Sequence, residues 1–430
     1  MTSTRLRAIT VMSAAALLIA GCGGGGGDGE GTAPDAAPTP GGGAADGGDG
    51  TLMLGYVFPQ TGQLAYLGPP QVEAARYAVS EINAAGGVLG APIPDLVAGD
   101  ESDQAAVAQQ SADRVLAAGV DALLGAAASG QSLAIIDRVT GAEVMQCSGS
   151  NTAPNFTDYN DQDYYFRTAP SDALQGPVLA ETIISDGHSN VAIVARADDY
   201  GVGLANATAQ ALEEAGATVA LNETYDPNAQ NFDALVQQVQ GAQPDAVVVI
   251  AFEEGTQILQ GLIEAGLGPN AVGVYGADGL RNTDLASLVA PGNPAVLAGM
   301  KGTAPASAAN EEFLTGLREF APDLVETQFA PQVFDCVNII ALAAAVAGTD
   351  DPSVFKDEIV GVTREGTKCT SFAECQELVA NGEDIDYDGA SGPLEFVPAG
   401  EPGTASIEIY SFNEQGELVT LDTVQSQPVS

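Results

Sequence analysis

The sequence predicts an α/β protein made of two doubly wound units, each a parallel sheet wrapped by helices. Three observations carry the prediction. Unbroken apolar runs of strand length recur, among them residues 121–124 and 246–251, as strands buried on both faces require. Between such runs lie segments with apolar residues at helical spacing, such as Val72, Ala75, Val79 and Ile82. Runs and helical segments alternate through two successive stretches of a 430-residue chain, long enough for two domains with real cores. That alternation implies right-handed crossovers and parallel strands.

The first unit opens with a strand at 51–57 and a Gly-punctuated loop at 59–68. A helix at 71–83 follows, stopped by Gly86 and Gly87, then a strand at 95–98, an acidic loop at 99–103 and a helix at 105–117. Next come the strand at 121–124, a small polar loop at 128–132, and a helix marked by Leu133, Ile136 and Val139. A strand at 144–147 then leads to a second polar loop at 148–152. Both loops leave the carboxyl ends of neighbouring parallel strands, where open α/β sheets bind ligands. Near 165–172 the chain enters the second unit, with Pro170, Ser171 and Asp172 introducing a helix at 174–185. Strands at 191–194, 219–225, 246–251 and 271–275 alternate with helices at 204–215, 232–239 and 258–265. The loop tips here carry Tyr200, Phe252 and Asp278.

Fifty-seven acids against 13 bases give a formal charge of −44, which repels phosphate and argues against nucleic acid and anionic lipid as partners. The N-terminus reads as a targeting segment: Arg5 and Arg7 precede an apolar stretch, 8–20, too short to span a bilayer well. Leu18-Ile19-Ala20-Gly21-Cys22 resembles a bacterial lipobox, which implies cleavage after residue 21 and lipid on Cys22. Residues 22–50 are Gly, Ala, Pro and Asp with almost nothing to bury, a flexible tether. No later stretch reads as long and apolar enough to cross a membrane, so the body is expected outside the cell, held by its lipid. Cys147, Cys336, Cys369 and Cys375 then suggest two disulfides with three possible connectivities. Cys369 and Cys375 are close enough for a local loop, which leaves Cys147 with Cys336.

The layout, with its segments TGQLAYLG, NAAGGVLG, SGQS, SNTAP, YFRTAPSDALQGP, DDYGVGLA and DYDGASGPLEF, resembles the type I periplasmic binding proteins. More narrowly, it resembles the Leu/Ile/Val-binding family that serves branched-chain amino-acid ABC transporters. The resemblance implies two lobes joined by three crossing segments and closing on a ligand by hinge motion. It divides the body into an N-terminal lobe, 51–168 plus 302–391, and a C-terminal lobe, 169–301 plus 392–430. Cys147 and Cys336 then share the first lobe, which favours their pairing.

The same resemblance implies a site for the two ends of an amino acid. Ser129 donates to the α-carboxylate, with the first amides of the following helix. Thr152 is a second anchor, with Ser150 and Asn151 beside it. Tyr200 and Phe252 line the cleft from the other lobe, and Asp278 pairs with the ammonium, where close relatives carry Glu. Phe252, often Tyr in the family, keeps a ring face for cation–π contact. Leu67, beside Tyr66, falls where the family often has an aromatic. The implied role is that of a monomeric solute receptor handing its ligand to a membrane permease, with no cofactor or metal.

Two other classes compete with this reading. The same fold serves sensory modules that signal to a separate receptor. An exported hydrolase needs a base, and the lone His188 sits in a turn, with no G-x-S-x-G and no H-E-x-x-H present. Asp384, Asp386, Asp388, Gly389 and Glu395 spell an EF-hand loop, but Gly392-Pro393 leads into a strand-like run where a helix is needed.

Overall fold

The computed structural model describes residues 48–306 and 311–426. Cys22, the leader and the tether through residue 47 lie outside them. Most of the described strands form two separate parallel-rich sheets, as the alternation predicts, with a three-stranded and a two-stranded sheet besides. In the first, β1 (Leu54–Phe58), β2 (Val97–Asp100), β3 (Ala122–Gly125), β4 (Met145–Ser148) and β5 (Tyr165–Arg167) are ordered β2-β1-β3-β4-β5 with every pair parallel. Helices α1 (Gly68–Ala84), α2 (Ala105–Leu116) and α3 (Ser129–Thr140) make the crossovers. β2 begins two residues later than its apolar run suggests. β5 closes the first sheet rather than opening the second unit, because Gln146, Cys147 and Ser148 register against Tyr165, Phe166 and Arg167.

The second unit follows the predicted order closely. It comprises α4 (Asp172–Ser185), β6 (Asn190–Arg196), α5 (Asp199–Glu214), β7 (Thr218–Tyr225), α6 (Asp233–Ala242), β8 (Ala246–Ile250), α7 (Gly255–Glu264) and β9 (Gly273–Gly276). Helix starts are chemically explicit: Ser171 Oγ accepts from the Ala173 amide at 3.3 Å, and Asp198 accepts from the Gly201 amide at 2.9 Å. β8 is buried along its whole length, as an apolar strand with neighbours on both sides should be.

Three further strands join this sheet. β10 (Lys301–Pro305) runs parallel to β9 and antiparallel to Ala405–Phe412, which pairs in turn with Leu418–Ser426. Meanwhile Leu394 and Phe396 remain in the hydrophobic core of the first lobe. Lys301 and Gly302 thus pair with β9 in the second sheet, while Phe396 packs against Phe166 in the first core.

The first core is closed by the helix Ala330–Ala347, which packs on α1. This helix corrects one expectation. Its 18 residues have a mean hydropathy of 1.6, enough by length and composition to cross a membrane, yet 78% of it is buried inside the protein. A helix apolar all round belongs in a core or a bilayer, and here the core takes it. Both disulfides form. Cys147–Cys336 ties β4 to this helix, and Cys369–Cys375 closes the short local loop.

Candidate functional site

Two loops leave the carboxyl ends of β3 and β4, and a scaffold of buried polar groups fixes them. Gly125 has φ +100°, and a Cβ there would meet the Val57 carbonyl oxygen at 2.3 Å, so only glycine admits the sharp exit from β3. The next amides are held by Glu101, fully buried, whose carboxylate accepts from Ala127 N at 2.5 Å and Ala128 N at 3.0 Å. Burial pushes its carboxyl up to about 8 despite those two donors. Ser148 Oγ donates to the Ala126 carbonyl at 2.9 Å and accepts from the Asn151 amide at 3.1 Å.

This scaffold absorbs two of the residues expected to face a ligand. Asn151 Nδ2 donates to the carbonyls of Ala126 and Ala127 at 3.1 and 2.9 Å, and its Oδ1 accepts from Tyr165 at 3.0 Å. Ser150 Oγ lies 3.0 Å from Gln71 Oε1 and 3.2 Å from the Ala127 carbonyl. Both side chains stitch one loop to the other. Buried Arg167 does the same from β5, donating to the carbonyls of Asn151 and Ala153 at 3.2 and 2.8 Å while ion-paired to Glu401. It thereby brackets Thr152, between those two carbonyls.

Ser129 and Thr152 remain turned to chemistry of their own. Ser129, the first residue of α3, is 2% exposed, and its Oγ accepts from the Ala153 amide at 3.3 Å. Its hydroxyl proton can still be donated, beside the open amides of the helix start. Thr152 Oγ1 is buried.

Facing these from the second lobe is an acidic pair. Asp278, 4% exposed, accepts at Oδ1 from Gln175 Nε2 at 2.8 Å and Tyr200 OH at 3.0 Å. Burial raises its carboxyl to about 6, those two donors opposing the rise. Asp172 is fully buried in the first turn of α4, with the Thr152 hydroxyl the polar side chain beside its carboxylate. Its own amide donates to the Thr152 carbonyl at 2.7 Å, so it stands next to that threonine. Burial and then the charge of Asp278 push its carboxyl well above the ordinary range, against the Thr152 hydroxyl and the charge of Arg167. Neither acid makes an ion pair among the described residues.

Aromatic groups wall the pair. Tyr200 stacks on Phe252 with centroids 5.4 Å apart, and Arg196 lies 3.5 Å over the Phe252 ring. Phe252 is thus held between a ring and a guanidinium, so the cation–π contact expected of it is made within the protein. Leu67 packs with Ala127, Tyr200 and Phe252 in one apolar cluster. Tyr66 reaches across and donates to the Gly279 carbonyl at 3.0 Å, and Asn155 Nδ2 donates to Asp199 at 3.1 Å, two hydrogen bonds between the lobes.

Asp172, Gln175, Glu101 and Arg167 were missed as site residues. Asp172 and Gln175 are spaced i, i+3, so they share one face of α4's first turn, a signal present in SDALQ. In the aspartate-rich loop, Asp386, Asp388 and Glu395 bring carboxylate oxygens within 4.8 Å of one another, Lys368 Nζ lies 2.9, 2.9 and 3.0 Å from them, and residues 392–393 are strand rather than helix.

Two doubly wound sheets with loop tips converging from both define a bilobal solute-binding protein. The chain belongs to the periplasmic binding protein family, which it matches over residues 51–417. It is 23% identical to Leu/Ile/Val-binding protein homolog 3 of Brucella melitensis biotype 1 over 373 residues, 86% of this chain and 94% of the relative. Among solved structures, it shares its fold with the branched-chain amino acid transporter substrate-binding protein of Streptococcus pneumoniae in complex with isoleucine. The TM-score is 0.70 at 23% identity, covering 88% of this chain and 100% of that one. It also shares it with an ABC-transporter solute-binding protein of R. palustris in complex with 4-hydroxybenzoate, at TM-score 0.72 and 17% identity, covering 88% and 98%.

Proposed function

We propose that this chain captures an amino acid, of branched-chain or other aliphatic type, between its two lobes and presents it to the permease of an ABC importer. The carrying observation is the acidic pair. Asp172 and Asp278 are buried carboxylates that make no ion pair among the described residues, with the Thr152 hydroxyl beside Asp172. Buried charge without a partner is costly, and a ligand ammonium placed between them removes that cost. Ser129 and the first amides of α3 receive the carboxylate, while Tyr200 holds Asp278 in place. Leu67, Ala127 and Phe252 offer the side chain an apolar wall. 4-Hydroxybenzoate offers the two acids a neutral phenolic O–H and no cation, which favours the amino acid over the aromatic acid found in the R. palustris structure.

Closure brings Tyr66 to Gly279 and so reports that the cleft is loaded. The lipobox-like run ending at Cys22 supports a lipid anchor on the outer face of the cytoplasmic membrane. Calorimetric titration of the purified protein with the twenty amino acids and with 4-hydroxybenzoate tests the ligand. Heat from aliphatic amino acids alone supports the proposal; binding of the benzoate alone sinks it.

A further inference from the structure

The turn that carries Asp278 is gripped from the other lobe. Residues 278–280 form a single 3₁₀ turn after β9, and Arg281 follows it. Gln328, fully buried, donates from Nε2 to the Asp278 carbonyl at 2.9 Å, and Tyr66 donates to the next carbonyl, that of Gly279, at 3.0 Å. Arg281 Nη1 lies 3.3 Å from Glu326 Oε1, while its Nε stays 2.8 Å from Glu408 of its own sheet. Glu326 and Gln328 stand between the helices Glu311–Phe320 and Ala330–Ala347, both packed on α1 in the first lobe. First-lobe side chains thus hold Asp278, Gly279 and Arg281 of one second-lobe turn.

The gripping segment is itself tightly built. Glu326 Oε1 accepts from the amides of Thr327 and Gln328 at 2.8 and 2.9 Å, so the carboxylate that faces Arg281 also fixes the backbone that presents Gln328. Phe329 follows at φ +62°, a left-handed conformation that a bulky residue adopts only where its surroundings dictate it, and it is buried in the apolar cluster of Leu67, Ala127 and Tyr200. Backbone strain of this kind gathers at ligand clamps and switch regions. The Asp278 carboxylate, by contrast, is held by Gln175 and Tyr200 of its own lobe. Opening of the hinge leaves that side chain in place and breaks the bonds to the main chain around it.

We infer that Gln328 and Glu326 are positioning residues for ligand capture: by gripping the Asp278 turn they hold the lobes shut and set how long a ligand stays in the cleft. This rests on the reading of the main cleft as the ligand site, not on which ligand fills it. The clamp forms only on closure, so its loss lowers the closed fraction and raises the apparent Kd of every ligand by one factor.

Gln328→Met keeps the side chain's bulk and removes its donor. Glu326→Gln keeps an acceptor for the two amides and removes the charge facing Arg281. The full chain, wild type and each variant, is titrated calorimetrically with leucine, 4-methylpentanoate and 4-hydroxybenzoate, with rates followed by stopped-flow tyrosine fluorescence. Each variant should weaken whichever of these bind by one common factor, about two- to tenfold, through faster dissociation at unchanged association. Asp278→Asn should weaken leucine alone; a common factor in the clamp variants without that selectivity removes the ammonium reading and supports the clamp. Unchanged dissociation in both variants overturns the inference, as does a factor that differs between ligands. So does a ligand-free thermal midpoint that falls in step with affinity, which marks a role in the fold alone. If no probe binds the wild type, small-angle scattering of the ligand-free chain decides: a larger radius of gyration in the variants supports the clamp, and an identical one overturns it.

Discussion

Asp278→Asn isolates the charge from the scaffold. The asparagine Oδ1 can still accept from Gln175 and Tyr200, which lie 2.8 and 3.0 Å from the native oxygen, so the local network survives. What disappears is one negative charge facing the ligand. A hydrogen bond to a charged group contributes about 1.5–3 kcal/mol, so amino-acid affinity should fall about 10- to 150-fold. The ligand-free protein should respond in the opposite sense. Asp172, fully buried, loses the like charge that raises its carboxyl, and the folded state loses a repulsion. Calorimetry reads the first effect and a thermal melt in ligand-free buffer the second. Equal affinity in wild type and variant would refute the ammonium assignment. Weak binding accompanied by a lower midpoint would show that Asp278 serves the fold instead.

Other consequences are checked as directly. Asp172→Asn should weaken amino-acid binding while leaving the fold intact, because asparagine is isosteric and its side chain can still meet the Thr152 hydroxyl. Ligand-free stability should fall as pH rises from about 4.5 towards 8. Glu101 has its folded value raised to about 8 and Asp278 to about 6, so the folded state holds more protons than the unfolded one in that window. Affinity moves the other way, dropping below about pH 6 as Asp278 takes a proton. Breaking Cys147–Cys336, separated by 189 residues, should cost about 5 kcal/mol, against about 2 for the six-residue separation of Cys369–Cys375, both on the chain-entropy account. Denaturant titrations of the paired Cys→Ala variants give the comparison. Lys368→Ala should leave Asp386, Asp388 and Glu395 without their cation, and its midpoint should rise with added Ca²⁺ while wild type stays flat.

The sheets were legible where strands are buried on both faces, because residues such as 246–250 then read as unbroken apolar runs. β10 and the hairpin after Pro402 were not, since they enter the second sheet from remote sequence and their pairing leaves no local period. The site was half legible. Ser129, Thr152, Tyr200 and Asp278 stand at loop tips where topology puts ligands. Ser150 and Asn151 stand there too, but their side chains are consumed by carbonyls 23 to 25 residues away, which no local pattern encodes. Asp172 was hidden for a different reason. An acid in the first turn after Ser171 satisfies helix-start chemistry on its own, so nothing local marks it as functional. The tertiary placement beside Thr152 is what leaves it buried without an ion pair.

The central claim is that the cleft recognises an ammonium group with its acidic pair. The most direct measurement compares the amino acid that binds best with its deaminated analogue, leucine against 4-methylpentanoate for example, by calorimetry at neutral pH. The two share carboxylate and apolar chain and differ only in the ammonium. The amino acid should bind about tenfold or more tightly. Equal or tighter binding of the deaminated acid would show that the cleft does not read the ammonium.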